Sequence, residues 1–150
     1  MRIALFGTGN LATHFLKAFE RLETISCVQW IGRSEQPPLA NHTPYFNVFQ
    51  NDIEVDICIL AISDDHIAEV AQAFKTNALV VHTAAAQSMD VLAPHKRTGV
   101  FYPLQHFSPG QKLHWKNIPF CLEANDNTDL DLLGKLARQL SDEVHFVTAE

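Results

Sequence analysis

Residues 55–62 read VDICILAI, the most apolar run in the chain. A strand with no polar face has nothing to offer water, so both of its sides must be covered, as they are in a parallel sheet carrying helices. Other segments agree with that demand. Residues 1–6 are a short apolar run ending at glycine, and residues 24–31 (TISCVQWI) are β-branched and apolar up to Gly32. Residues 78–81, 99–102, 118–123 and 144–147 read as further strands, and residues 45–49 as a short one. Between the strands, Leu11, Phe15, Ala18, Phe19 and Leu22 recur at helical spacing, with Lys17, Glu20 and Arg21 on the opposite side. Ile67, Val70, Ala71 and Phe74 mark a second helix that Ser63, Asp64 or Asp65 is placed to cap. A short helix is expected near residues 89–92, and Thr128-x-x-Asp131 reads as a capping box before Leu130, Leu133, Leu136, Ala137 and Leu140. SEQPPLANHTP and HFSPGQKLHWKN read as loops. The alternation predicts an α/β protein of three layers, with a mostly parallel central sheet and helices on both faces.

A chain of 150 residues is the size of one domain, and 47% hydrophobic against 19% charged residues is the balance of a globular chain that folds. A net charge of -6 offers no broad attraction for nucleic acid or an anionic membrane. No run approaches the roughly 18 apolar residues of a membrane helix, and MRIALFGTG is too short an apolar stretch for a signal peptide. Cys27, Cys58 and Cys121 lie far apart in strand-like segments with no CxxC pair, which reads as buried, reduced thiols and suits a cytoplasmic protein.

Only six glycines occur, and two stand at the end of the first strand in Gly7-x-Gly9-x-x-Ala12. The pattern is weak alone, but a buried strand precedes it, an amphipathic helix follows, and a second strand ends some twenty-five residues on, as in a Rossmann-type dinucleotide-binding unit. Each position has a physical reason. Gly7 permits the tight turn, Gly9 lets the backbone approach a pyrophosphate, and small Ala12 lets helix and strand pack closely. The N–H groups of Thr8, Gly9, Asn10 and Leu11 would then meet phosphate at a helix N-terminus. The second strand ends in Gly32-Arg33-Ser34, where an NAD-binding loop would place an acid for the ribose 2′-hydroxyl. Arg33 can fork onto a 2′-phosphate, Ser34 can donate to it, and Gly32 leaves room, so NADP(H) is the expected cofactor. Glu35 comes one position too late in this register. Arg33 has the wrong sign for a methyltransferase, which wants an acid there.

The run GTGNLATHF, the strand end GRS, LAISDDHIAEVA, the VVHT strand end and above all GVFYPLQHFSPG resemble a bacterial family with a Rossmann-like domain and a C-terminal helical domain of unknown function. That family is similar to pyrroline-5-carboxylate reductases and deazaflavin-dependent NADP oxidoreductases. The resemblance covers essentially the whole chain. It implies NADP(H) binding by residues 1–150, a helical domain beyond them that completes the substrate pocket, and a homodimer. It also shows one departure, Ala84-Ala85 where relatives commonly carry Ser-Gly.

In an open α/β sheet a ligand lies beyond the carboxyl ends of the strands. Ala61, Ile62 and Ser63 are therefore expected to line the cofactor, with His82 near its nicotinamide side. Reduction of a C=N or C=O bond of a small molecule needs a hydride from the cofactor and a proton from a donor, for which His82, Tyr102 and Gln105 carry suitable groups. A hydrogen-bonded structural role stands beside the catalytic one for His82, and a chain-turning role for Tyr102 and Gln105. The other histidines, His14, His42, His66, His95, His106, His114 and His145, show no metal-ligand spacing, so no metal is expected. No GxSxG elbow supports a hydrolase. An NADP(H)-binding sensor or regulatory module without catalysis is the rival to an oxidoreductase domain.

Overall fold

The computed structural model describes residues 1–47 and 52–147. The chain enters the middle of an eight-stranded sheet with β1 (Arg2–Phe6), and α1 (Asn10–Glu20) carries it over to β2 (Ser26–Ile31) and β3 (Tyr45–Phe46) on one side. β4 (Asp52–Ile53) leads into β5 (Ile57–Leu60), which pairs with the opposite side of β1. α2 (Ile67–Gln72), β6 (Lys75–Thr76) and β7 (Leu79–His82) follow, then β8 (Thr98–Pro103), β9 (Phe120–Ala124), α3 (Asn127–Leu140) and β10 (Val144–Phe146). The sheet order is β10-β9-β8-β7-β5-β1-β2-β3, parallel except for the antiparallel β8–β9 pair. β4 and β6 form a separate two-stranded ribbon. Two-residue strands carry no periodicity, which is why the sequence does not announce them.

Strand alternation divides the core. Ile3, Leu5, Ile57, Ile59, Leu79, Val81 and Phe101 face one side, packing with Phe15 and Phe19 of α1 and Leu133 and Leu136 of α3. Ala4, Phe6, Cys58, Leu60 and Val80 face the other, against Ile67 and Ala71 of α2, Phe74 and Leu92. This is the Rossmann-type three-layer arrangement: a mostly parallel sheet with helices on both faces.

Several local expectations are corrected. A turn of 3-10 helix, Asp64–His66, stands before α2, so the cap positions fall on Ser63 and His66, and neither side chain bonds a first-turn N–H. Asp64 and Asp65 lie inside the turn, and Phe74 lies beyond α2, stacked on Phe6 at 4.7 Å. Nor is Thr128 a cap. α3 starts earlier, because Asp126 is extended and its Oδ1 accepts from the Asp129 N–H at 2.8 Å. The short helix at Met89–Leu92 is a 3-10 turn, capped by Ser88. Of residues 45–49, the last two lie outside the described residues.

Candidate functional site

The loop after β1 is shaped by its two glycines in different ways. Gly7 has φ +122°, and a Cβ there would collide with the Ala61 carbonyl at the end of β5. Its N–H donates to the Ile31 carbonyl at 2.8 Å, and its own carbonyl accepts from Trp30 Nε1 at 2.7 Å, so the loop is pinned to β2. Gly9 is the N-cap of α1 at ordinary φ, and nothing lies within 4 Å of where its Cβ would stand. The first-turn N–H groups of α1 have no partner inside the helix, and no side chain caps them. They point their positive dipole end at open space, the geometry of an anion site. Ala12 is fully buried, as the close helix–strand packing requires.

That space is a cleft of about 570 Å³, in the range of small-molecule and cofactor sites. Gly7, Thr8, Gly9, Asn10 and Leu11 form its floor, with Gly32 and Arg33 from the end of β2 and Ala61, Ile62 and Ser63 from the end of β5. Thr83, one residue past β7, also reaches it. Arg33 is exposed, and no acidic side chain among the described residues pairs with it. The remaining wall was not anticipated: His66, Glu69, Val70 and Ala73 stand at i, i+3, i+4 and i+7, one face of α2 and its flanking turns. The signal was present in that spacing, complementary to the core-facing Ile67, Ala71 and Phe74. His66 Nδ1 lies 3.6 Å from Glu69 Oε2 on this wall.

Other expected site residues stand elsewhere. Ser34 does not line the cleft, and its carbonyl accepts from the Tyr45 hydroxyl at 2.8 Å. The room at Gly32 is taken by the protein itself, since a side chain there would run into the Thr8 methyl and the Tyr45 hydroxyl. His82 is fully buried. Its Nδ1 accepts from the Ala84 N–H at 3.0 Å, which makes Nε2 the protonated nitrogen, donating to the Ser88 carbonyl at 3.3 Å. Burial lowers its pKa, and both nitrogens bond within its own loop, the hydrogen-bonded arrangement expected of the structural role. Tyr102 is half-buried on β8 and Gln105 is exposed beyond it, and neither lines the cleft.

The loop after β8 nevertheless returns to the site. Asn10 Nδ2 donates to the Phe107 carbonyl at 3.2 Å, and His14 Nε2 donates to the Ser108 carbonyl at 2.7 Å. Asn10 and His14 are one helical turn apart, so α1 holds the HFS segment at two points while Asn10 also faces the cleft. The Ser108 N–H donates to Gln111 Oε1 at 2.9 Å and closes the loop on itself. All three cysteines are free. Cys58 is buried, whereas Cys27 and Cys121 are half-buried rather than buried as expected. Burial pushes the Cys27 and Cys58 thiols up to about 12, far from a reactive thiolate. Among the described residues no cluster of His, Cys, Asp or Glu is arranged to hold a metal, and no helix is long and apolar enough to cross a membrane.

No family model matches the chain, and no curated protein matches it. Solved structures do. A proposed NADP oxidoreductase from Bacteroides fragilis is 30% identical over 97% of this chain, with a TM-score of 0.83, and the chain covers 60% of it. The pyrroline carboxylate reductase of Plasmodium falciparum, solved with NADP bound, matches over 99% of this chain at 11% identity and a TM-score of 0.71, with 58% of its own length covered. A prephenate dehydrogenase from A. aeolicus, solved with hydroxyphenyl propionate and NAD+, matches over 99% at 11% identity and a TM-score of 0.69, with 60% covered. The chain therefore spans less than two thirds of the length of these proteins, and along nearly all of its own length it has their fold.

Proposed function

We propose that this chain is the NADP(H)-binding domain of an oxidoreductase that reduces an imine or ketone of a small molecule by hydride transfer. The observation that carries the reading is one cleft bounded by both an uncapped α1 N-terminus and Arg33, which pairs with no acidic side chain among the described residues. The first site suits a pyrophosphate and the second a ribose 2′-phosphate, and a cleft of about 570 Å³ has the capacity for such a ligand. When bound, NADPH supplies the hydride. The chain's own part is to hold it: N–H groups of the glycine loop on the phosphates, Arg33 on the 2′-phosphate, and residues 61–63 along the middle. The resemblance to the Bacteroides fragilis protein supports the same reading. The proposal includes a helical domain beyond residue 150 and a homodimer as the parts that complete the substrate pocket.

A second reading, an NADP(H)-binding sensor or regulatory module, is favoured by one observation. None of the three groups read as proton donors, His82, Tyr102 and Gln105, lines the cleft. NADPH consumption with a panel of cyclic imines and small ketones, measured on a protein that carries the proposed helical domain as well as this chain, separates the two, since the module binds the cofactor and oxidises none of it.

The cofactor assignment is tested by titrating the protein with NADPH and NADH. A charged hydrogen bond to phosphate contributes about 1.5–3 kcal/mol, so NADPH is expected to bind on the order of tens-fold more tightly. Arg33→Asp is expected to erase or reverse that preference. Superimposable titrations of the unsubstituted protein would sink the assignment.

A further inference from the structure

Two of the loops that bound the cleft are tied together by side chains that do not line it. The Tyr45 hydroxyl donates to the Ser34 carbonyl at 2.8 Å. The Tyr45 ring meets Trp30 edge-on, with centroids 5.1 Å apart and planes at 74°. Trp30, fully buried, donates its Nε1–H to the Gly7 carbonyl at 2.7 Å. Three contacts therefore connect the turn after β2 to the glycine loop after β1. The backbone supports the same alignment: the Trp30 N–H donates to Pro44 at 2.9 Å and the Gly32 N–H to Phe46 at 3.0 Å, which seats β3 and Tyr45 beside the turn. Gly32 sits at the crossing, with the Thr8 methyl on one side and the Tyr45 hydroxyl on the other.

Arg33 lies between Gly32 and Ser34 and has no side-chain partner among the described residues, so its aim depends on how its two neighbours are held. Gly32 is held by strand pairing through its N–H. Ser34 is held by Tyr45. An arginine grips a phosphate through a planar fork whose strength depends on direction, and a turn free to swing would spend part of that grip on ordering itself.

We infer that Tyr45 is a specificity-positioning residue: by fixing the Ser34 carbonyl it aims Arg33 at the ribose 2′-phosphate of the cofactor. The inference rests on the NADP(H) reading above. It separates the two halves of the site. The pyrophosphate half is held through Trp30 and Gly7, which a phenylalanine ring at position 45 still packs against, whereas the 2′-phosphate half needs the hydroxyl.

The test is the ratio of NADPH to NADH affinity, measured by titrating both cofactors into the unsubstituted chain, Tyr45→Phe and Arg33→Ala. Loss of one neutral hydrogen bond is expected to lower the NADPH preference of Tyr45→Phe about three- to tenfold, with NADH affinity unchanged within about twofold. Arg33→Ala is expected to remove the preference altogether. If the unsubstituted chain prefers NADPH over NADH and Tyr45→Phe keeps the full ratio or loses both affinities equally, or if Arg33→Ala keeps the preference, the role of Tyr45 is overturned while the choice of NADP(H) stands. If the unsubstituted chain does not distinguish the two cofactors, the NADP(H) reading fails and this inference fails with it.

Discussion

Gly7 carries φ +122° and faces the Ala61 carbonyl, so only glycine satisfies both its backbone and its neighbour. Gly9 needs neither concession: its φ is -79°, and its missing side chain leaves the cleft open instead. The fingerprint spacing made both readable, because it describes a backbone path that any such loop must follow. His82 was less readable. Its position at a strand end is the same for a catalytic group and for a buried brace, and the bonds to Ala84 and Ser88 that make the brace are invisible in the sequence. That brace has a pH signature. Burial lowers its pKa below the ordinary 6.5, so as the pH falls the unfolded chain takes up a proton before the native protein does. Its contribution is therefore complete above about pH 6.5 and declines as the pH drops from there toward the native pKa. His82→Asn keeps an acceptor for the Ala84 N–H and does not titrate. Thermal unfolding between about pH 7 and 5 is expected to show a steeper loss of stability for the unsubstituted protein than for His82→Asn; parallel slopes would place the titrating group elsewhere.

At the scale of elements, the long and strongly patterned segments were plain in the sequence and their ends were not. α1 announces itself by Leu11, Phe15, Ala18 and Phe19, but the start of α3 carries two residues with an acid three positions on, Asp126 before Asp129 and Thr128 before Asp131, and local spacing cannot rank them. Tertiary contacts do. Asp129, only 2% exposed, takes Arg97 Nη2 at 2.7 Å, and Arg97 Nη1 donates to the Asn77 carbonyl just before β7. Holding Asp129 there sets the first turn and leaves Asp126 as the residue that accepts from the Asp129 N–H. Asp126→Ala is accordingly expected to cost about 1 kcal/mol, the worth of an N-cap. Thr128→Ala, inside the helix, is expected to stay within about 0.5 kcal/mol of the unsubstituted protein. Urea unfolding of the two variants checks the cap directly, and a larger loss at Thr128 than at Asp126 would return the helix start to the position the sequence suggests.

Across the whole molecule, the chain lays down β1, β2 and β3 in one direction and then crosses to β5, β7 and β8 in the other. The connections therefore diverge between β1 and β5, and the cleft opens at the carboxyl ends of those strands. Topology made this location readable from the alternation of strands and helices. It gave no hint that Asn10 would hold the Phe107 carbonyl, because the two are 97 residues apart and a backbone carbonyl leaves no mark in a side-chain pattern. A variant at Gly9 tests the cleft as a ligand site apart from its role in folding. Gly9 is extended and its Cβ position is empty, so Gly9→Asp meets no clash and supplies a good N-cap with a negative charge at the positive end of α1. Without ligand it is expected to melt at or slightly above the temperature of the unsubstituted protein. With NADPH at about a hundred times its dissociation constant, the unsubstituted protein gains about 2.7 kcal/mol, a rise of about 5–10 °C for a domain of this size. Gly9→Asp is expected to lose that rise, because its carboxylate would occupy the phosphate position and repel the ligand. A variant that keeps both its own stability and the full NADPH shift would mean that the cofactor binds somewhere other than the α1 N-terminus.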